Sequence, residues 1–202
     1  MNRAVSKAKH LPARLLLGLL RRLKKIGIVI DLFITVRESE QQVEQTKAQH
    51  NFRLDFLSED DFDELLRLDM NNDRQELTTW FQKGILCFGV WDQSRLVAKM
   101  WCDPNEFNFP PNYRKLEADE VYLFAAYSDP DYRGQGLAPL MRSAGYAALR
   151  EKGKNRFYSY TDYFNAAARR FKEKLGARNE LLRLHFGLFG KWSKTVTLRR
   201  YS

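Results

Sequence analysis

A chain of 202 residues that is 44% hydrophobic and 13% aromatic can bury one full core with an appendage to spare, which excludes a fibrous or wholly disordered protein. The net charge of +9 sits almost entirely in residues 1–25, where Arg3, Lys7, Lys9, Arg14, Arg21, Arg22, Lys24 and Lys25 stand without an acidic residue. The remainder is nearly neutral, so no nucleic-acid partner is expected for the body. Cys87 and Cys102 are the only cysteines, too few for a disulfide framework, which points to a reducing compartment.

No stretch approaches the roughly 18 apolar residues that a membrane-spanning helix needs. Leu11, Leu15, Leu19, Leu23 and Ile26 recur at helical spacing, with Arg14, Gly18, Arg21 and Lys25 along another side. Such a basic amphipathic helix suits an anionic membrane surface or a partner; it also suits packing against the body, or import as a transit peptide, although serine is scarce. A β-branched strand is predicted over 25–37, and the polar residues 38–50 read as a linker or exposed helix. Residues 1–50 are therefore expected to be a helix, strand and linker ahead of a main domain over 51–202.

In the body the alternation at 52–57 predicts a strand. Ser58 with Asp61, and Asp73 with Glu76, have the spacing of helix-opening caps. Strands over 86–91 and 96–102 flank a turn; with Gln93 and Ser94 at its tip, Cys87 would face Met100 and Cys102 would lie on the same face, diagonal to it. An aromatic loop with prolines over 103–116 precedes a strand beginning at Glu120. Then come a helix over 139–150, a strand over 157–161, a helix over 164–175 and a closing hairpin over 181–189 and 195–201. The order is that of a mixed α/β fold with an antiparallel beginning and a late crossover helix.

The most informative stretch is Ser128-Asp-Pro-Asp-Tyr-Arg-Gly-Gln-Gly-Leu-Ala138, between a strand and a helix. Gly134 and Gly136 let the backbone turn tightly and approach a ligand. The amides ahead of Pro139 are first-turn donors with no partner inside the helix, a natural anion site. Arg133-Gly-Gln-Gly-Leu-Ala138 resembles the Arg/Gln-x-x-Gly-x-Gly/Ala signature of the GNAT superfamily of acetyl-CoA-dependent N-acetyltransferases. In the same order, Asn165-Ala-Ala-Ala-Arg-Arg-Phe-Lys-Glu-Lys-Leu-Gly-Ala177 resembles its second motif. The resemblance implies a mixed, mostly antiparallel sheet with a central, parallel, splayed strand pair and flanking helices. It also implies acetyl-CoA as co-substrate, held by Ala126 and Tyr127 at the strand end, by Arg133, Gly134, Gln135, Gly136, Leu137 and Ala138 in the turn, and by Asn165.

For the chemistry, Glu120 stands as far before Arg133 as the general-base glutamate does in the histone acetyltransferases that this stretch resembles, and it is the candidate base. The family's usual tyrosine acid falls on Lys172, which reads as a solvated helix residue. The substitutes are Tyr163, taken first, Tyr160 and Tyr158, or the main-chain dipoles at the splay. His185 on the last hairpin reads as a surface or core residue. Three scattered histidines and unclustered cysteines give no metal site. Trp101, Phe107, Phe109, Tyr113 and Trp192 read either as an acceptor wall or as anchors for their loops.

The resulting expectation is an acyl-CoA-dependent N-acetyltransferase acting directly from acetyl-CoA on a primary amine of a small molecule or sugar. It would be cytoplasmic, peripheral at the inner face of a membrane if residues 1–25 bind an anionic surface there, and a homodimer is admitted. The competing readings are a membrane-surface acyltransferase on a lipid-linked or cell-envelope precursor, and a catalytically silent coenzyme A-binding module.

Overall fold

The computed structural model describes residues 18–38, 52–109 and 112–201. Ten strands follow in chain order: β1 Ile28–Glu38, β2 Arg53–Phe56, β3 Leu86–Asp92, β4 Arg95–Asp103, β5 Glu106–Phe109, β6 Asn112–Lys115, β7 Glu120–Ser128, β8 Arg156–Asp162, β9 Arg178–Leu188 and β10 Trp192–Arg200. The helices are α1 Phe62–Leu68, α2 Arg74–Gln82, α3 Leu137–Glu151 and α4 Ala166–Lys174. Residues 18–25 are also helical. Asp73 accepts from the Glu76 amide at 2.8 Å, and Asp61 accepts from the Ser58 amide at 2.8 Å, so both expected caps form.

Eight strands make one sheet in the order β10-β9-β1-β8-β7-β4-β3-β2. Only β7 and β8 pair in parallel among the described residues. One face packs Phe88, Val90, Val97 and Leu123 against Leu137, Met141, Tyr146 and Leu149 of α3. The other packs Trp91, Leu96 and Trp101 beneath Phe62, Leu65 and Leu68 of α1 and Leu77 of α2. A small hairpin, β5–β6, replaces the expected loop and buries Phe107 on Tyr122.

Two expectations are corrected. β1 lies inside the sheet, bonded to β8 on one side and β9 on the other, with Phe33, Ile34, Thr35 and Val36 buried. It is thus part of the main sheet rather than of an appendage, because its β-branched residues need cover on both faces. The expected linker after Glu38 and the boundary at 51 lie outside the described residues, as do Leu11, Leu15 and the rest of residues 1–17.

The β3–β4 register is the second correction. Trp91 faces Leu96 as the turn predicts, but beyond a one-residue irregularity Cys87 faces Trp101 and Leu86 faces Cys102. A bulge at Val97 slips the register by one, and a slip of one moves side chains to the opposite face. Cys102 packs on the α3 side and Cys87 beneath α1 and α2, both as free, buried thiols. Burial pushes the Cys102 thiol up to about 12 and the Cys87 thiol well above its ordinary range, so both are inert core residues.

Candidate active site

β7 and β8 stay paired only where residues Glu120, Val121 and Tyr122 face Arg156, Phe157 and Tyr158. Beyond that point the strands part. On the far side of β7, Lys99 faces Tyr127 and Trp101 faces Phe124, so Ala125 and Ala126 together oppose Met100. Ala125 takes a left-handed φ of 43°, an uncommon conformation for a residue with a side chain and the mark of a bulge. The wedge between the strands opens into a cavity of about 660 Å³. Its walls are residues 123–128 of β7, Arg133 and Ala138 of the turn, Met141 and Arg142 of α3, residues 160–162 of β8, and Asn165, Ala167, Ala168, Phe171 and Lys172 around α4.

The glycine turn is built for close approach. Gly134 and Gly136 have φ of 81° and 80°, and Gly136 is the cap residue of α3. A Cβ on either would meet no atom within 4 Å, so the glycines serve the backbone conformation and leave the space before the turn clear. Arg133 Nε donates to the Ser128 carbonyl at 3.3 Å, and Gln135 Nε2 to the Asp131 carbonyl at 3.2 Å, so both side chains brace the turn. Leu137 is buried in the core, which leaves only its backbone for a ligand. Asn165 Oδ1 accepts from the Ala168 amide at 3.0 Å and caps α4; the residue also lines the cavity. Ala126, Tyr127, Arg133 and Ala138 line the same cavity.

A buried group of charges underlies the wedge. Lys172 is 6% exposed, and its Nζ donates to Ser159 Oγ at 2.6 Å and to the Tyr160 carbonyl at 3.0 Å. Glu38, at the end of β1, places Oε1 at 3.6 Å from both Lys172 Nζ and Arg142 Nη2 and accepts a hydrogen bond from the Tyr146 hydroxyl. Burial works to raise the Glu38 carboxyl, but the Arg142 and Lys172 charges, with Ser159 and Tyr146, hold it below its ordinary value. Burial lowers the Lys172 ammonium to about 8; Glu38 works against this fall and Arg142 adds to it. Thr161 Oγ1 and Arg142 Nε are buried without a hydrogen-bond partner, and both residues line the cavity. Such orphaned polar atoms at a cavity wall are ready partners for a polar ligand.

The expected catalytic pair is not brought together. Glu120 sits where β7 and β8 are still paired and is absent from the cavity wall. It is ion-paired to Arg114 at 2.5 Å and Arg156 at 3.1 Å and accepts from the Glu117 amide at 3.0 Å. Burial opposes, but these partners hold its carboxyl below the ordinary range, the wrong direction for a base near neutrality. Tyr163 lines a neighbouring cavity, with Ile34, Val36 and Arg169, instead of this one. Lys172 borders both cavities and is buried, where the sequence suggested a solvated residue.

The aromatic residues behave as anchors. Trp101 is fully buried against Trp80 and Phe81, and Phe107 packs on Tyr122. Trp192 lies on β10, at the far edge of the sheet, and Tyr113 is exposed; the side chain of Phe109 lies outside the described residues. His185 Nδ1 lies 3.0 Å from Thr195 Oγ1 on the β9–β10 hairpin, away from the cleft. Glu38, Arg142 and Thr161 were not singled out from the sequence. The spacing of Arg142 and Tyr146, one helical turn apart on α3, is the signal that could have found one of them.

Comparison with known proteins agrees with this geometry. Residues 47–177 match the Acetyltransferase (GNAT) family, more than half of the chain. Mycothiol acetyltransferase of Thermobispora bispora is 36% identical over 81 residues, covering 40% of this chain and 23% of that protein, so the match spans about a quarter of the curated relative. The fold resembles the ribosomal-protein-S18-alanine N-acetyltransferase of Escherichia coli, with a TM-score of 0.51 at 19% identity, covering 62% of this chain and 76% of that one. It also resembles a GNAT acetyltransferase of Colwellia psychrerythraea, with a TM-score of 0.57 at 14% identity over 85% and 62% of the two chains. With a splayed parallel pair, a glycine turn opening α3 and a family match across both, the chain belongs to the GNAT acetyltransferases, acyl-CoA-dependent transferases.

Proposed function

We propose that the protein transfers the acetyl group of acetyl-CoA directly to a primary amine of a small molecule or sugar. The observation that carries this reading is the wedge between β7 and β8, closed at one end by the glycine turn. A pyrophosphate fits the amides of Gln135, Gly136, Leu137 and Ala138, where the α3 N-terminus favours negative charge. The diverging strands have no ladder partner across the wedge, so their backbone groups suit an arm rich in amides, as the pantetheine chain is. Thr161 and Asn165 add side-chain partners on the opposite wall. Acetyl-CoA supplies an activated thioester; the chain's contribution is to hold it, exclude water and orient the acceptor.

The test is release of coenzyme A from acetyl-CoA across a panel of amines, read as free thiol. Amine-dependent release is expected. Binding of coenzyme A without release on any amine would favour the silent module, and absence of both would overturn the reading.

One observation favours peripheral attachment to an anionic surface. Leu19, Ile26, Phe189 and Trp192 are exposed, and the Phe189 amide donates to the Gly27 carbonyl at 2.6 Å, joining the two segments that carry them. Arg21, Arg22, Lys24, Lys25, Lys191 and Lys194 are exposed around them. No helix among the described residues is long and apolar enough to cross a membrane. Each basic residue at an anionic surface contributes about 1 kcal/mol, screened by salt. Deleting residues 1–25 should therefore strongly weaken co-sedimentation with vesicles containing phosphatidylserine and leave coenzyme A affinity unchanged; equal sedimentation of both forms would contradict attachment through this segment.

A further inference from the structure

The buried charge group is the part of the molecule that neither the wedge nor the glycine turn explains. Its negative member, Glu38, comes from β1, outside the family-matched residues 47–177. Its cations, Arg142 and Lys172, come from α3 and α4 and both line the cavity that holds the β7 bulge at Ala125 and Ala126. A buried lysine is a costly feature, because a strongly hydrated ammonium has been taken out of water. Here Lys172 has two hydrogen-bond acceptors, Ser159 Oγ and the Tyr160 carbonyl, for three N–H donors, with Glu38 Oε1 at 3.6 Å. These partners fix the ammonium without engaging it in a close ion pair, and the residue borders the cavity. Glu38 is shared: its Oε1 lies as far from Arg142 Nη2 as from Lys172 Nζ and accepts no hydrogen bond, while Tyr146 donates to the other oxygen.

Resting on the acetyl-transfer reading, we propose that Lys172 is a catalytic residue that gives a proton to the departing thiolate, and that Glu38 is its positioning residue. The acceptor nitrogen, as free amine, adds to the thioester carbonyl carbon and the C–N bond forms. The C–S bond breaks and its electron pair leaves on sulfur. Sulfur takes one proton from Lys172 Nζ, which becomes a neutral amine, and the proton that nitrogen sheds in becoming an amide recharges Lys172 through solvent. No oxidant or reductant is involved. Release of a thiol in place of a thiolate removes the driving force for the reverse attack.

The charged and titratable groups facing Lys172 set its response to pH. Glu38 on β1 and Arg142 on α3 act on it directly; Tyr146 on α3, Cys102 on β4 and Tyr122 on β7, itself raised by burial, act on Arg142, and Tyr160 on β8 lends its carbonyl. Cys102 and Tyr146 titrate far above neutrality, and Tyr160 is raised by burial, so they are neutral in the working range. The ammonium is lost as pH rises through about 8, and kcat should fall there.

The test combines three readings on the full chain. Lys172→Arg keeps charge and ion pairing but does not surrender a proton; kcat should drop by about 10² to 10⁴ and the alkaline limb should disappear. Glu38→Gln removes the charge that raises Lys172, and the limb should move to lower pH. The third reading needs no turnover and no variant: the thiol of coenzyme A bound to the parent, followed by thiolate absorbance, should titrate below that of free coenzyme A, because an ammonium stands beside it. Lys172→Arg activity within a few-fold of the parent, with the limb retained, would overturn the assignment, as would a bound thiol that titrates like the free one. If the parent neither binds coenzyme A nor releases it with any amine, the acetyl-transfer reading itself fails and the assignment falls with it.

Discussion

Gly136 shows how far a single residue can be read. Its φ of 80° lies in the left-handed region, so any side chain costs about 1–2 kcal/mol of backbone strain, yet an added Cβ meets nothing in the protein. Gly136→Val should leave the chain folded with a modestly lower melting temperature. Coenzyme A affinity by calorimetry should fall by tenfold or more, because the branched side chain occupies the space in front of the amides; unchanged affinity would make this only a turn. Glu120 illustrates the opposite case. Its spacing to Arg133 is legible in the sequence, but its two arginine partners, one of them on the β5–β6 hairpin, depend on tertiary contacts that spacing does not encode. A carboxyl with a lowered folded pKa stabilises the protein above its ordinary value of 4.5 and loses that contribution as pH falls through the folded value. Glu120→Gln should therefore lower the melting temperature at pH 7 and flatten its dependence on pH in the acid range, while kcat keeps its pH profile; a kcat loss of a hundredfold with cofactor affinity intact would return the base role to Glu120. Lys172 was hidden because a lysine on a short polar helix ordinarily reads as solvated. Its burial follows from α4 lying over Ser159 and Tyr160, and on Glu38 from a strand more than a hundred residues away.

At the scale of elements, the caps, glycine stops and hydrophobic periods place the helices and most strands within a few residues. The failures have physical causes. The β5–β6 hairpin is concealed by prolines and a short span, and the β3–β4 bulge at Val97 leaves no local mark, since a hairpin without it satisfies the same turn. The β-branched run of β1 predicts a strand but not its place, because sequence order does not say between which strands an early strand will insert. Its insertion between β8 and β9 gives it two ladders and buries Ile34 to 2% exposure. Ile34→Ala should cost about 2–5 kcal/mol in denaturant unfolding. Deletion through residue 38 should prevent folding, since it splits the sheet and removes Glu38 from two buried cations. A chain lacking residues 1–38 that melts cooperatively near the parent temperature would show that β1 is dispensable.

Over the whole molecule, two uneven halves meet at the β7–β8 wedge. Strands β2, β3, β4 and β7 with α1, α2 and α3 carry the larger buried core, while β8, β1, β9 and β10 form the other wing, whose outer strand is exposed along most of its length. The sheet parts where one wing's last strand bulges at Ala125 and the other's first strand turns into α4, so the cleft is a consequence of topology, with the glycine turn and Asn165 at its two sides. The turn and the cap beside the cleft are legible in the sequence, because glycine spacing and helix caps are local signals. The charge group is not, because it joins three elements distant in sequence. The central claim is that coenzyme A lies in this wedge, and a crystal structure of the full chain with coenzyme A tests it most directly. The pyrophosphate should accept hydrogen bonds from the amides of residues 135–138, with the pantetheine arm between β7 and β8 and its sulfur beside Lys172. Coenzyme A bound elsewhere on the chain, with the wedge between β7 and β8 empty of it, would contradict the account.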